Sequence, residues 1–324
     1  MITLLGGILA YLNRNVHVDD ALIYYRYIEN FISGNGLVYN IGERFNALTS
    51  PLYIYLSILL STITGEVEIT QVILNCFLMI TSSLVLLKIF DTFKLKTAGF
   101  IIAVIFITSK YFYTVVGMET NLFILMCLLC IYYYLKLKLN ALSICFGFLL
   151  ITRGEGFFLV LILLFLLYRN NKALFHYKYL LIFASIIAAN FLFNYYYYGE
   201  FLPHTLSVKI GQGQSGLWGK YSYLFGSSYL FGMFNNQAFY ILFIFSAAIY
   251  GLVSHYRNIV VVILLIFLIL LNIFYLSLNI PSYHWYYSIH FLTLFVLCGL
   301  GITEVISMTS RKISNKTLRI SFLC

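Results

Sequence analysis

The chain has 324 residues, of which 62% are hydrophobic and 10% charged, with a mean hydropathy of +0.92. Soluble domains run at about 45–50% apolar and about 25% charged residues, so a water-soluble globule is excluded. The net charge of +9 is by itself the signature of a nucleic-acid or anionic-lipid partner, and where the charges sit decides between them.

A spanning helix needs roughly 20 apolar residues, which predicts an all-α integral membrane protein of about ten transmembrane helices, a single polytopic domain over residues 1–324 with no C-terminal soluble domain. The first apolar run, Ile2–Leu12, reaches only about 18 Å against a hydrocarbon core of about 30 Å. The N-terminal helix therefore reads as incomplete. No basic residue precedes it and no small-residue cleavage site follows, so it does not read as a signal peptide.

Residues 13–65 read as a first extracytoplasmic loop with two interfacial helices. In Ala21–Ser33, residues Ala21, Tyr24, Tyr25, Ile28, Phe31 and Ile32 make an apolar face, and Arg26, Glu29, Asn30 and Ser33 a polar one. Asp19-Asp20 in front and Gly34 behind are its expected caps, giving an amphipathic interfacial helix. Thr49-Ser50-Pro51 starts the second helix and Gly65 stops it; at about 21 Å it is too short to cross. Apolar runs follow at 69–90, 98–116, 121–138, 140–152, 156–168, 179–198, 237–253, 258–280 and 286–307.

Lys and Arg in the short connections set orientation. With the 13–65 loop outside, the inner connections hold thirteen of the twenty basic residues: Lys88, Lys94, Lys96, Lys136, Lys138, Arg169, Lys172, Lys178, Arg257, Arg311, Lys312, Lys316 and Arg319. The acidic residues on that side are only Asp91 and Glu304. The positive excess is thus a topology signal, and nucleic acid is excluded as a partner. The expected location is a bacterial inner (plasma) membrane, as a multi-pass protein with its site on the extracytoplasmic face and membrane lipid around it.

The outer connections are long and carry nearly all the acidic residues. Four segments converge there: Val18-Asp19-Asp20, Gly117-Met118-Glu119-Thr120, Thr152-Arg153-Gly154-Glu155-Gly156, and Tyr198 to Lys209 with Leu202-Pro203-His204-Thr205. The run before Arg153 has about thirteen residues and cannot cross at full length, which places Arg153 and Glu155 below the interface, where ionisable groups are costly and functional. Asp19 and Asp20 at a helix N-terminus are held ionised by orphan amides and the dipole. They are either a proton acceptor or simple N-caps. Glu119 is a second acid or a solvated turn residue, and Lys209 a phosphate ligand or an interfacial snorkelling lysine. His17, His204, His284 and His290 carry no metal-ligand spacing, and Cys127-x-x-Cys130 has no second pair, so no metal or other cofactor is expected, although a divalent ion stays open. No GxxxxGK[ST] and no strand-borne GxGxxG occur, which argues against nucleotide chemistry.

Asp19-Asp20-Ala21 through Tyr25-Arg26-Tyr27, Gly34-Asn35-Gly36-Leu37-Val38-Tyr39-Asn40, Gly42-Glu43-Arg44 and Thr49-Ser50-Pro51-Leu52 resemble the first outer loop of GT-C-type polytopic glycosyltransferases, most of all the arabinofuranosyl- and mannosyltransferase-like branch. Gly117 to Thr120, Thr152 to Gly156, Tyr198-Gly199 with Leu202-Pro203 and Lys209, and Pro281 to His284 look like its later landmarks in order. The resemblance spans about residues 19 to 290.

It implies inverting transfer of a sugar from a polyprenyl-phosphate donor to an extracytoplasmic glycan or lipid acceptor. Asp19 or Asp20 is the implied base, assisted by Glu119, and Arg44, Arg153, Glu155, His204, Lys209, Tyr283 and His284 are the implied substrate contacts. Ser282 and Gly154 depart from that pattern, which often has Arg and Pro there, and the outer domain that follows the last helices in some relatives is not expected. A transporter or lipid flippase, or an inactive scaffold with the same fold, are the alternative readings.

Overall fold

The computed structural model describes residues 1–14, 16, 18–170, 176–226, 228, 232 and 238–321, the side chains of residues 206, 225 and 311–321 excepted. His17 and Lys172 lie outside the described residues, as do the side chains of Arg311, Lys312, Lys316 and Arg319. Among the described residues the regular structure is helical throughout. In chain order the helices are α1 (Ile2–Leu12), α2 (Ala21–Ile32), α3 (Pro51–Thr64), α4 (Val67–Asp91), α5 (Lys96–Thr108), α6 (Lys110–Tyr113) and α7 (Thr120–Leu135). They continue as α8 (Leu139–Thr152), α9 (Phe157–Asn170), α10 (Tyr177–Tyr198), α11 (Thr205–Gln214), α12 (Ala238–His255), α13 (Ile259–Ser277) and α14 (Ser288–Ser321).

Among the described residues, five helical segments are long and apolar enough to cross a membrane: Val67–Asp91, Tyr177–Tyr198, Ala238–His255, Ile259–Ser277 and His284–Ser310. The helices over the runs 98–116 and 121–138 are shorter than those runs, 13 and 16 residues long. The run over 98–116 breaks at Ser109, whose backbone is extended (ψ 116°), so α5 ends after 13 residues and a single turn, α6, follows. Hydropathy alone did not mark that break, because serine is tolerated in apolar helices.

The caps of α3 behave as the sequence predicts in part. Pro51 opens the helix and Gly65 closes it at φ 77°, its N–H donating to the Ser61 carbonyl at 2.9 Å, while Ser50 makes no side-chain capping bond. The face of α2 differs from expectation. Tyr27 and Asn30 are buried with Ala21, Tyr24, Tyr25 and Ile28, whereas Phe31 and Ile32 are exposed. The reason is polar partners in the following loop: Tyr27 donates to the Phe45 carbonyl at 2.6 Å, and Asn30 donates to the carbonyls of Val38 and Tyr39 at 2.8 and 2.9 Å. This face packs on α3 and α4 rather than lying open.

Helix α4 sits at the centre, against α1, α2, α3, α5 and α7. Its buried Gln71 accepts from Tyr53 of α3 at 2.6 Å, and Asn121 at the start of α7 bonds both Asn75 and the Phe112 carbonyl. These bonds fix where α7 begins, and hence where Glu119 stands. In a low-dielectric interior such bonds are strong and their loss is costly.

Helices α12 and α14 meet at glycines. A Cβ on Gly301 would lie 1.9 Å from the Ala247 carbonyl oxygen, and one on Gly251 would lie 2.0 Å from that of Leu297. Small residues let helix backbones approach this closely. Gly301→Val is expected to cost about 1–3 kcal/mol or more through overpacking, read as a lower midpoint of thermal unfolding in detergent. An unchanged midpoint would mean that α12 does not pack there.

Candidate functional site

Several loop-side helix ends converge on one cavity of about 440 Å³, within the range of small-molecule sites. It is lined by Thr49 and Pro51 at the α3 start, Glu119, the α8–α9 turn from Leu150 to Phe157, Asn190 and Asn194 of α10, Lys209 of α11, Tyr275 at the end of α13, and Tyr286. Apolar side chains, among them Leu150, Ile151, Ile187, Phe191, Leu202 and Phe274, make much of its wall.

Arg153 holds the centre. Helix α8 ends at Thr152, Arg153 adopts an extended backbone (φ −153°, ψ 129°), and Gly154–Gly156 makes one tight turn into α9. Gly156 allows that turn to close, since a Cβ there would lie 2.6 Å from Leu149 Cγ. Arg153 is 5% exposed. Its Nε and Nη2 donate to Glu155 Oε1 at 2.9 and 2.5 Å, Nε lies 3.8 Å from Glu119 Oε1, and Nη1 has no hydrogen-bond partner. Tyr275 donates to the same Glu155 oxygen at 2.5 Å.

A buried ion pair survives only when its remaining polar atoms are satisfied. Burial raises the Glu155 carboxyl, but Arg153 and the Tyr275 hydroxyl outweigh it and hold Glu155 below the usual carboxylate value. Burial likewise works against the Arg153 charge, and Glu155, Tyr275 and Glu119 lift it well above its ordinary value. Both groups are charged at neutral pH.

Glu119 reaches the site through Gly117 at φ 84°, where a side chain would strike Ala21 and Tyr25 of α2 at 2.7 and 2.9 Å. Its Oε2 accepts from Tyr24 at 3.0 Å, and Tyr24 also pairs with the Thr49 hydroxyl at 2.7 Å. Glu119 is buried and does not stand in a solvated turn. Lys209 lies 5.0 Å above the Tyr286 ring, and the same ring carries Arg153 at 5.2 Å. Burial lowers the Lys209 amine, but Tyr286 and Glu119 raise it more, and the net shift is upward. Lys209 is therefore a half-buried cation that shares the Tyr286 ring with Arg153.

Asp20 lies outside the cavity lining but within the electrostatic reach of Lys209 and Glu119. The sequence expectation that a capping bond holds it ionised is corrected here. Asp20 sits in helical backbone geometry (φ −61°, ψ −23°) with no side-chain capping bond, and burial, then Asp19, raise its pKa above the usual carboxylate value, against Lys209. Asp19 is exposed and accepts from the Asp20 N–H at 2.9 Å.

The remaining expected residues divide. Tyr283 stacks on Trp285 at 4.7 Å and feels the charges of Asp20 and Lys209. The His284 carbonyl accepts from Tyr111 at 2.6 Å, outside the cavity lining. Arg44 is exposed and lies 4.9 Å over the Tyr197 ring, away from the cavity. His204 pairs with Glu200 at 2.7 Å and stacks on Phe45 at 4.6 Å, which commits its ring elsewhere although Pro203 and Thr205 beside it line the cavity.

His290 bonds Asn272 at 3.1 Å, between α13 and α14. Cys127 and Cys130 are buried free thiols in α7, with Cys130 against Cys145 of α8. Among the described residues no group of three or more His, Cys, Asp or Glu is placed to share a metal ion.

Sequence reasoning missed Tyr24, Tyr275, Tyr286 and Asn190. The tyrosines stand near helix ends, where membrane proteins place interfacial aromatics for unrelated reasons, so they gave no separate signal. Asn190 and Asn194, one turn apart in an otherwise apolar run, did carry one. No family model, curated protein or solved structure matches the chain.

Proposed function

We propose that the chain is a membrane glycosyltransferase of GT-C type, moving a sugar from a polyprenyl-phosphate donor to an extracytoplasmic acceptor. The observation that carries this reading is the cavity itself: two cations, the buried Arg153 and the half-buried Lys209, share one ring beside two carboxylates, Glu119 and Glu155, within largely apolar walls. Cations without nearby carboxylates would suit an anion carrier, and apolar walls alone would suit a lipid. Together they suit a lipid phosphate whose sugar is attacked beside an acid.

The site end also faces outward in this reading. About ten helices lie in the bilayer, residues 13–65 form the outer loop, and the basic residues of the opposite connections face the cytosol.

The reaction is a single displacement. Asp20 takes the proton from an acceptor hydroxyl, that oxygen bonds the anomeric carbon, and the bond from that carbon to the phosphate oxygen breaks. The leaving phosphate keeps the electron pair, and Arg153 and Lys209 stabilise its charge. Of the acidic pair Asp20 is assigned as the base because it is half-buried and within the electrostatic reach of Lys209 and Glu119, whereas Asp19 is exposed. Glu119 and Glu155 hold Arg153 in place, with Tyr275 pinning Glu155 from α13. The protein carries out the step with these groups and needs no nucleotide.

Base action requires ionised Asp20, so the rate falls as pH drops through its raised pKa. Asp19→Asn removes a like charge, eases ionisation, and is expected to move the acid limb of kcat/KM to lower pH. A limb that stays put would dissociate Asp20 from the titration. Comparing intact envelope-glycan masses from cells with and without the chain tests the function itself. A glycan short of one sugar unit is the expected result, and identical glycans, with sugar accumulating only inside vesicles bearing the chain, would favour the transporter alternative.

A further inference from the structure

Away from the cavity lining the protein presents a cluster of aromatic rings, one of which, Tyr283, feels the acidic pair. Tyr283 lies parallel to Trp285, with centroids 4.7 Å apart and planes at 5°, and Trp218 packs against Tyr283 at 5.6 Å. Trp285 is buried, whereas Trp218, tilted at 59° to Tyr283, is 51% exposed, so the ring cluster runs from the interior to the surface.

The loop bearing Trp218 is fastened. Asn279 accepts from the Tyr221 N–H at 2.8 Å through Oδ1 and donates to the Gly213 carbonyl at 2.8 Å through Nδ2. Gly213 also approaches the Leu278 and Asn279 carbonyls so closely that a Cβ would lie 2.5 and 2.9 Å from them. The ring is thus held beside α13 by backbone contacts on both sides of it.

Two occupants suit exposed aromatic rings in a membrane protein: the bilayer interface or an amphipathic ligand. Position favours the second. Tyr283 lies in the field of Asp20, Lys209 and Asp19, and carboxylates are expensive neighbours for hydrocarbon. A sugar ring has an apolar face for the aromatic surface and hydroxyls for the carboxylates. Two carboxylates, Asp20 and Asp19, act on Tyr283 against one cation, Lys209, and this excess of negative charge disfavours an anionic acceptor.

We infer that Trp218 and Tyr283 form an acceptor platform on which an uncharged glycan stacks, so that the acceptor is a neutral carbohydrate rather than a lipid hydroxyl or an anionic polymer. This rests on the glycosyl-transfer reading and adds to it the class of acceptor. Tyr283 feels the charges of Asp20 and of Lys209, and in this inference a sugar stacked on it presents a hydroxyl to Asp20 while the donor phosphate occupies Arg153 and Lys209.

The test uses the full chain in lipid nanodiscs carrying Trp285→Phe, which leaves Trp218 as the single tryptophan reporter. Neutral manno-, gluco-, galacto- and arabino-oligosaccharides are titrated, with a glycerol-phosphate oligomer as the anionic probe. The inference expects saturable change of Trp218 emission by at least one neutral oligosaccharide and none by the anionic one. In the two-tryptophan protein, Trp218→Leu is expected to weaken binding of that sugar about tenfold by calorimetry, and Trp218→Phe to restore most of it, since the aromatic face is what binds.

No response to any neutral oligosaccharide, or equal binding by Trp218→Leu, overturns the inference. So does quenching of Trp218 by brominated phosphatidylcholine in the nanodisc, which would put the ring in lipid. The two readings fail separately. Stacking of a sugar on Trp218 without transfer from any polyprenyl-phosphate sugar removes the enzyme and keeps the platform. Transfer with an acceptor KM indifferent to Trp218→Leu keeps the enzyme and removes the platform.

Discussion

Asp20→Asn is expected to lower sugar transfer by about 10²–10⁴-fold, the usual contribution of a positioned general base, with donor KM changed little. Asn matches Asp in shape and cannot accept the proton. The variant is also expected to fold, because Asp20 makes no capping bond to α2 and its pKa lies above the ordinary value through burial and Asp19. A group whose folded pKa is raised gains nothing from being charged in the native state, so neutralising it relieves rather than breaks an interaction. Transfer rates measured in membranes with donor and acceptor supplied separate the cases. Activity retained in both Asp20→Asn and Asp19→Asn would remove the proposed base.

The second large effect belongs to Arg153. Arg153→Met leaves Glu119 and Glu155 in the interior without their cation, and breaking a buried pair on one side costs about 3–5 kcal/mol. The expected result is a protein that unfolds at markedly lower temperature and transfers no sugar. A triple variant, Arg153→Met with Glu119→Gln and Glu155→Gln, removes the stranded charges as well. It is expected to recover most of the lost thermal stability and none of the transfer, because the phosphate has lost a cation. Recovery of both would confine Arg153 to a structural role. Detergent-solubilised thermal melts beside transfer assays read the two quantities independently.

Much of this site was legible in the sequence because ionisable residues are rare in an apolar chain and stand out against it. Glu119, Arg153, Glu155 and Lys209 come from three separate segments that the alternation of apolar runs with polar connections put at one end, and they line one cavity. Arg153 directly follows the end of α8, where that apolar run stops. What failed has a physical cause in each case. Arg44 and His204 carry suitable groups, but aromatic neighbours in the fold, Tyr197 and Phe45, claim them, and nothing in the local sequence foretells a ring contact made across more than a hundred residues.

The face of α2 was misjudged at Asn30 and Tyr27, because amphipathic reading assigns polar groups to solvent, whereas here loop carbonyls satisfy them inside. The capping expectation for Asp20 assumed a free side chain at a helix start; packing left it without the amide contact. Tyr275 and Tyr286 were invisible for the opposite reason, being residues ordinary at membrane-helix ends that the fold brings to a charged centre.

The central claim is that this cavity cleaves a sugar from a lipid phosphate. Purified full-length protein incubated with polyprenyl-phosphate mannose, glucose or arabinofuranose and neutral oligosaccharide acceptors, followed by mass spectrometry of both products, tests it most directly. The account predicts that for one donor the bare polyprenyl phosphate and the extended oligosaccharide appear in equal amounts with wild-type protein and not with Asp20→Asn. Donors left intact throughout, or cleaved equally by Asp20→Asn, would contradict it.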